Sequence, residues 1–303
     1  MTYFDAAVVE MGLRNDYLNL LQSVSFVYQR DYFYDPTCSQ LSWIWSRRIA
    51  VDALMLTPAV MMFCQLQYIN QTHFVFSHLT EFGVTNTLSR DAIEYCIRIV
   101  ERGDTAWVHL KSLRMHGFND CQKKLLHCLV PKSVNLTGVW FYRPCVNNHP
   151  LCNSLADADV AVIACSCPRL TTLTVCHAPL LTGVAIKELA DHSRLLTQLV
   201  LKGSRMLGSS LYLLGLSSFA ANLNDLSLNI RAASDVKMVS VVCLLARLPK
   251  LVNVTLVGWR MRSQEDQDAL KVAMAEYCPQ LYENPGHSFS SSVRVIDCVD
   301  EHL

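Results

Sequence analysis

The sequence predicts an α/β solenoid of about nine strand–helix units, with parallel strands on one side and helices on the other. Three observations predict it. A short template with apolar residues at relative positions 0, +3 and +5 recurs along the chain. Successive copies begin roughly 26 to 34 residues apart, and segments with helical periodicity lie between them. Because one strand–helix unit cannot bury its apolar face alone, stacked units are expected to share a continuous core.

The template is clearest in the second half of the chain, where Leu170, Leu173 and Val175 form one copy. Apolar residues at +3 and +5 suit a short strand with one buried face. An ordinary α/β fold also alternates strands with helices, but it rarely keeps one three-point template through nine units. In chain order, the nine copies begin at Leu21, Val51, Leu79, Leu110, Leu136, Leu170, Leu196, Leu223 and Leu251.

The segments between the strands predict helices over Arg90–Glu101, Val184–Asp191, Val236–Ala246 and Asp266–Glu276. The repeat array is expected to occupy residues 18–281, with residues 1–17 as an N-terminal cap and 282–303 as a C-terminal cap or tail. Solenoids need such caps to cover their terminal apolar faces. Within the tail, the apolar run Val293–Val299 is expected to add an edge strand.

Composition narrows the class of protein. Hydrophobic residues make up 51% of the chain and charged residues 17%, which excludes a disordered protein. Lys plus Arg and Asp plus Glu both total 26, so binding to nucleic acid through bulk positive charge is not favoured. The absence of a basic, apolar leader and of a long apolar run predicts an intracellular, most simply cytoplasmic, protein without a membrane span. The 13 cysteines are then expected to be reduced.

Several short motifs resemble those of leucine-rich-repeat proteins, whose unit reads L-x-x-L-x-L followed by a turn and a helix. Cys167-Pro168-Arg169-Leu170 and Cys278-Pro279-Gln280-Leu281 resemble the C-P-x-L that opens the cysteine-containing repeats common in F-box substrate receptors. The ribonuclease-inhibitor-like repeats are the next most similar variety. The resemblance implies a curved horseshoe with its strands on the concave face, and a role in binding.

The chain departs from that family at position +8, where an Asn or Cys usually satisfies the turning backbone. Here the position holds Phe118, Pro144, Ala178, Ser204, Arg231 or Trp259 in different units. The turns are therefore expected to satisfy their backbone groups in another way. No F-box or other ligase-docking helix is recognisable before the first repeat.

The candidate binding residues come from positions +2, +4 and +6, which should point to the concave face. Most are small and neutral, but Arg114 and His116 are expected beside Trp140 and Tyr142, with Glu81 and Lys202 at the edges of this group. Trp, Tyr and Arg often dominate binding energy at protein interfaces. The alternative is that the inserted segment Arg143–Ser154 covers the two aromatic residues.

Catalytic and metal-binding motifs were sought in the same way, and neither a catalytic residue nor a cofactor is predicted. Cys145, His149, Cys152, Cys165 and Cys167 lack the paired spacing of zinc modules, so no metal site is expected. The segment Gly203–Ser210 lacks the lysine of a phosphate-binding loop. Buried structural cysteines are the simpler interpretation.

These observations predict a non-catalytic scaffold or adaptor that binds a protein partner on its concave face, within a larger assembly. Two alternatives remain open at this point. One is a ubiquitin-ligase substrate receptor with a divergent docking element. The other is a ribonucleoprotein subunit that contacts RNA through a local patch of Arg, Lys and aromatic residues.

Overall fold

A computed structural model describes the chain over residues 79–85, 88–102, 107–142, 155–176, 179–202, 208–229, 237–257 and 263–279. It also gives the backbone of residues 23–26, 50–56 and 293–296. The predicted cap over residues 1–17 and the inserted segment Arg143–Ser154 lie outside these residues. Two compact units are present: Met1–Leu136 with Pro144–Cys152, and Thr137–Arg143 with Asn153–Leu303.

The first unit contains four described strands, which pair in parallel and in chain order. The helices α1 and α2 follow the third and fourth strands, as the strand–helix alternation requires. The elements are β1 (Ser23–Phe26), β2 (Ala50–Leu56), β3 (Glu81–Val84), α1 (Arg90–Arg102), β4 (Ser112–His116) and α2 (Asp120–Leu129).

The second unit repeats the same pattern over six described strands, again parallel and in chain order. Both units therefore have the α/β solenoid architecture that the repeat predicts. The elements are β5 (Gly138–Tyr142), α3 (Asp157–Ser166), β6 (Thr172–Val175), α4 (Gly183–His192), β7 (Gln198–Leu201), α5 (Gly208–Gly215), β8 (Asp225–Asn229), α6 (Met238–Leu245), β9 (Asn253–Val257), α7 (Gln264–Tyr277) and β10 (Val293–Ile296).

The core lies where the template predicts it. In all seven copies from Leu79 onward, the residues at 0, +3 and +5 are buried, and none exceeds 4% exposure. The first two copies of the template, which begin at Leu21 and Val51, also contain strands, β1 and β2. The predicted edge strand in the tail is confirmed as β10, which pairs in parallel with β9.

The four predicted helices are confirmed as α1, α4, α6 and α7. Local caps explain where several helices begin. The Thr182 hydroxyl accepts a hydrogen bond from the Val184 amide at the start of α4, and Ser263 does the same for Asp266 in α7. Asn119 and Gln122 form a reciprocal capping box at the start of α2.

Bonds between adjacent repeats satisfy many backbone groups of the connections. In the five units that begin at Leu79, Leu136, Leu170, Leu196 and Leu223, the carbonyl of the residue at +1 accepts hydrogen bonds from two consecutive backbone amides at the start of the next strand. The side-chain hydroxyls of Thr171 and Thr197 reinforce this ladder by donating to the carbonyls of Thr137 and Thr171. After β4, the side-chain amide of Gln122 donates hydrogen bonds to the backbone carbonyls of Thr85 and His116. This ladder runs along the start of the strands. At position +8, Phe118 is buried, and the other five residues lie outside the described part of the chain.

Candidate functional site

The side of the sheet away from the helices carries the side chains at positions +2, +4 and +6, here called the strand face. Its accessibility varies along the chain. Thr85, Ser112, Val200 and Ser227 are buried, whereas larger or charged members remain partly exposed. The partly or fully exposed members are Glu81, Arg114, His116, Trp140, Tyr142, Thr172, Thr174, Cys176, Gln198, Lys202, Asp225, Asn253 and Thr255.

In the first unit, an ion pair crosses the strand face between β3 and β4. Arg114 Nη2 lies 3.4 Å from Glu81 Oε2, and the two side chains are 29% and 26% exposed. Gly83 is the residue directly opposite Arg114 in the register, so no side chain at that position obstructs the guanidinium as it reaches toward Glu81. The pair is partly shielded from water, and its guanidinium can offer further hydrogen bonds to a ligand.

His116 ends β4, two residues after Arg114 on the same face. Burial lowers the pKa of the His116 imidazole, and the positive charge of Arg114 lowers it further. The imidazole is therefore neutral near pH 7. In that form it can both donate and accept a hydrogen bond, which suits recognition of a polar protein surface.

In the second unit, β5 carries two aromatic residues on the strand face. Trp140 and Tyr142 are both partly exposed. The Trp140 indole lies over Gly138, where a Cβ would overlap the ring carbons Cη2, Cζ3 and Cζ2. The absence of a side chain at Gly138 therefore leaves room for the six-membered ring of the indole. A partly exposed indole offers a large apolar surface at little cost in side-chain entropy.

Farther along the second unit, the strand face is polar. Gln198 donates a 3.0 Å hydrogen bond to Asp225 Oδ2 across β7 and β8. Burial raises the pKa of the Asp225 carboxyl, while the hydrogen bond from Gln198 and the charge of Lys202 oppose the rise. Lys202 also opposes the effect of burial on the Cys176 thiol, whose pKa is raised. The charge of the exposed Lys202 thus acts on both groups.

The six predicted binding residues are all on the strand face and all at least partly exposed. Glu81, Arg114 and His116 belong to the first unit, and Trp140, Tyr142 and Lys202 to the second. The structure brings Glu81 and Arg114 together. The expected juxtaposition of Arg114 and His116 with Trp140 and Tyr142 stays a prediction, as does coverage of the aromatic residues by Arg143–Ser154.

Two cysteines of the C-P motifs are structural. Cys167 and Cys278 are fully buried, and burial raises the pKa of their thiols to about 12 and about 11. The Cys278 thiol lies 3.4 Å from the carbonyls of Leu245 and Leu248, so it bonds to the backbone of the preceding repeat. Neither thiol is available as a nucleophile at neutral pH.

Sequence reasoning missed two features of the site: the ion pair between Glu81 and Arg114, and the contact of Trp140 with Gly138. Gly83, at position +4 of the preceding strand, was a sequence signal for the ion pair, because it leaves room for the Arg114 side chain. Gly138, two positions before Trp140, was the corresponding signal for the aromatic contact. In the part of the chain that the structure describes, no helix combines the length and apolar character needed to cross a bilayer.

No protein-family model matches the chain, and no curated protein matches it. Solved structures do show similarity. The tropomodulin C-terminal domain of Caenorhabditis elegans is 16% identical, with a TM-score of 0.33, over 63% of this chain and 93% of that domain. An internalin from Listeria monocytogenes is 14% identical, with a TM-score of 0.43, over 82% of this chain and 63% of its own. A chain of the yeast Rad7 and Elc1 complex is 14% identical, with a TM-score of 0.35, over 69% and 57%.

Proposed function

We propose that this protein is a non-catalytic interaction scaffold, acting inside the cell as a subunit of a larger complex, and that it binds a protein partner on the strand face. The observation that carries the proposal is that the strand face of each unit exposes a side chain typical of protein interfaces, Arg114 in the first unit and Trp140 with Tyr142 in the second. These three residue types are enriched among the few residues that dominate binding energy at protein interfaces.

The chemistry of the face favours protein over phosphate as the ligand. In the first unit, the carboxylate of Glu81 already compensates the charge of Arg114. In the second unit, the strand face carries Asp225 as well as Lys202. A surface that tracks a nucleic-acid backbone carries an unopposed excess of cations, and this mixture of charges does not provide one.

Membership of a larger complex is supported by apolar residues that the helices of the second unit leave exposed. Val184, Tyr212, Val239 and Val272 lie on four consecutive helices and are 53% to 68% exposed. Where exposed apolar side chains on neighbouring helices adjoin one another, they form the kind of patch that another subunit covers. The eight described cysteines are all free thiols, in keeping with a reducing compartment.

We further propose that the repeats belong to the cysteine-containing subclass. Cys167 and Cys278 support this, since both are buried at the turn that follows a helix, and Cys278 bonds to the backbone of the preceding repeat. The thiol adds a weak hydrogen bond to carbonyls that already accept backbone amides in the turn between the helix and the next strand.

The proposal is tested by affinity capture of the tagged protein from its native source, comparing matched tyrosine substitutions within the second unit. Tyr142→Ala removes an aromatic residue from the strand face, and Tyr212→Ala removes one from the helix surface, where Tyr212 is 61% exposed. We expect Tyr142→Ala and Trp140→Ala to lose a defined protein that Tyr212→Ala retains. Arg114→Ala provides the equivalent test in the first unit.

Thermal unfolding of each variant accompanies the capture, because loss of a partner is informative only when the variant is folded. If folded Tyr142→Ala and Trp140→Ala keep every partner and Tyr212→Ala loses one, binding takes place on the helices and the proposal is wrong. Treatment of the captured complex with ribonuclease and with increasing salt distinguishes RNA from protein. Loss of the partner under both treatments would replace the protein ligand with RNA.

A further inference from the structure

Three side chains with metal-binding chemistry meet on the helix surface of the second unit. Cys165 lies in the last turn of α3, and Glu188 and His192 lie on α4. The thiol sulfur, a carboxylate oxygen and an imidazole nitrogen all lie within 4.8 Å of one another. Cys165 and His192 are exposed and Glu188 is partly exposed, so water and ions reach the cluster freely.

The fold holds the three residues in register. Glu188 and His192 are four residues apart, so they share one face of α4. Side by side, α3 and α4 pack against each other, and Thr182 at the start of α4 bonds to Asp157 at the start of α3, with oxygens 2.7 Å apart. The cluster lies toward the C-terminal ends of both helices, where the helix dipoles favour a cation.

We propose that Cys165, Glu188 and His192 bind a Zn²⁺ ion through three protein ligands, with water as the fourth. Thiolate sulfur, imidazole nitrogen and carboxylate oxygen are the ligands that zinc takes in proteins, at about 2.0 to 2.3 Å each. In a tetrahedral site such ligands lie about 3.3 to 3.6 Å apart. The observed separation of 4.0 Å between His192 Nε2 and Glu188 Oε2 requires only small side-chain rotations to reach that geometry.

Cysteine, histidine and a carboxylate also occur together in thiol hydrolases, but the arrangement here differs. There the carboxylate accepts a hydrogen bond from the imidazole and orients it. Here the 4.0 Å between Glu188 and His192 is too long for a hydrogen bond. An ion between the two groups fits that gap better than a direct contact does.

Binding exchanges a proton for the metal. As the Zn–S bond forms, the Cys165 thiol releases its proton to solvent, and the neutral imidazole and the carboxylate donate lone pairs. The ion then links the ends of two neighbouring helices in successive repeats. Because the ligands lie at the surface and the fourth position is open to water, the bound ion is exchangeable. Its stabilisation of the second unit should therefore rise with the logarithm of the free-ion concentration once that exceeds the dissociation constant.

The first experiment titrates metal-free, reduced full-length protein with Co²⁺ and then displaces the cobalt with Zn²⁺. A tetrahedral site with one thiolate is expected to give a thiolate-to-cobalt charge-transfer band and intense visible absorption, both lost when zinc is added. Cys165→Ser, Glu188→Gln and His192→Gln are each expected to remove or greatly weaken the signal. All three side chains are at least partly exposed, so their substitution should leave the fold unaffected.

Cys243→Ser is the matched control, since Cys243 is also exposed on a helix of the second unit. The wild type and Cys243→Ser should bind one more equivalent of Zn²⁺ than Cys165→Ser, and added Zn²⁺ should raise their melting temperature above that of Cys165→Ser. If all these proteins bind the same amount of zinc with the same spectrum, the proposal is wrong. It is equally wrong if cobalt binds without a thiolate band, because Cys165 is then not a ligand.

Discussion

Single residues on the strand face are affected by the residue two positions away on the same strand. Burial lowers the pKa of His116 and the charge of Arg114 lowers it further, while Gly138 leaves room for the Trp140 indole against the backbone. In a strand, side chains two apart point to the same side, so such pairs are the nearest same-face neighbours along the chain. Substitution of either member should therefore change the chemistry of the other without disturbing the buried positions.

The pH dependence of stability tests the environment of His116. The folded chain keeps this imidazole neutral to a lower pH than the unfolded chain, so the unfolded state binds the proton first as pH falls below about 6.5. The corresponding stability is fully present above that value and is lost as pH falls through the folded pKa. We expect urea unfolding at about pH 7.5 and about pH 5.5 to differ less for His116→Gln than for the wild type. An equal difference in both proteins would show that His116 is not shielded.

The packing of Trp140 is tested by Gly138→Ala. The added Cβ would overlap the indole ring, which must then move away from the strand toward water. We expect a red shift in tryptophan emission with little loss of stability, because Gly138 does not need a positive φ that alanine would resist. The same substitution in a Trp140→Phe background should leave the emission of the remaining tryptophans unchanged. A blue shift, or a shift that persists in that background, would contradict the contact.

At the scale of strands and helices, the sequence predicts what the buried face determines. The three template positions are buried because a short strand with helices on one side has only that face to cover, and the period of two fixes which residues these are. The strand β10 was predictable because a short apolar run in the tail of the sequence suits an edge strand. Contacts between repeats were not, because Gln122 reaches Thr85 only after the helix is capped and the strands are in register.

The candidate sites, like the fold, were predictable from the sequence only in part. Positions +2, +4 and +6 predicted which side chains share the strand face, since that follows from alternation alone. Cys165, Glu188 and His192 gave no such sign, because Cys165 lies a full repeat before His192 and zinc-motif spacing describes ligands that are close in sequence. A ligand set assembled from adjacent repeats becomes visible only when the repeat length is known accurately enough to align neighbouring helices.

The connection between β4 and α2 depends on Gln122, which caps the helix and bonds to two strand-end carbonyls. Gln122 is 1% exposed, so its removal would leave buried groups without partners. We expect Gln122→Ala to lower the free energy of unfolding by about 1–3 kcal/mol in urea denaturation. The exposed Lys124→Ala on the same helix should change it by less than about 0.5 kcal/mol. Similar values for the two variants would mean that water replaces the glutamine at no cost.

At the scale of a whole unit, stability is expected to be a sum of local terms, because each repeat packs mainly against its neighbours. In the second unit, every described strand pairs only with the strand before and the strand after it in the sequence. Among the described strands of this unit, pairing is thus confined to adjacent repeats, without the pairings between distant elements that make an ordinary globular domain unfold all at once. A local defect should consequently weaken adjacent repeats first.

Leu199→Ala tests this in the middle of the second unit. Leu199 is fully buried on β7, and its truncation should cost about 2–5 kcal/mol. Hydrogen exchange measured by mass spectrometry should then show the largest loss of protection in β6, β7 and β8, and a smaller loss in β5 and β9. Thr174→Ala on the partly exposed strand face is the control, and it should leave the exchange pattern almost unchanged. An equal loss of protection in all five strands would show that the unit unfolds as one cooperative block, and the additive description would then be wrong.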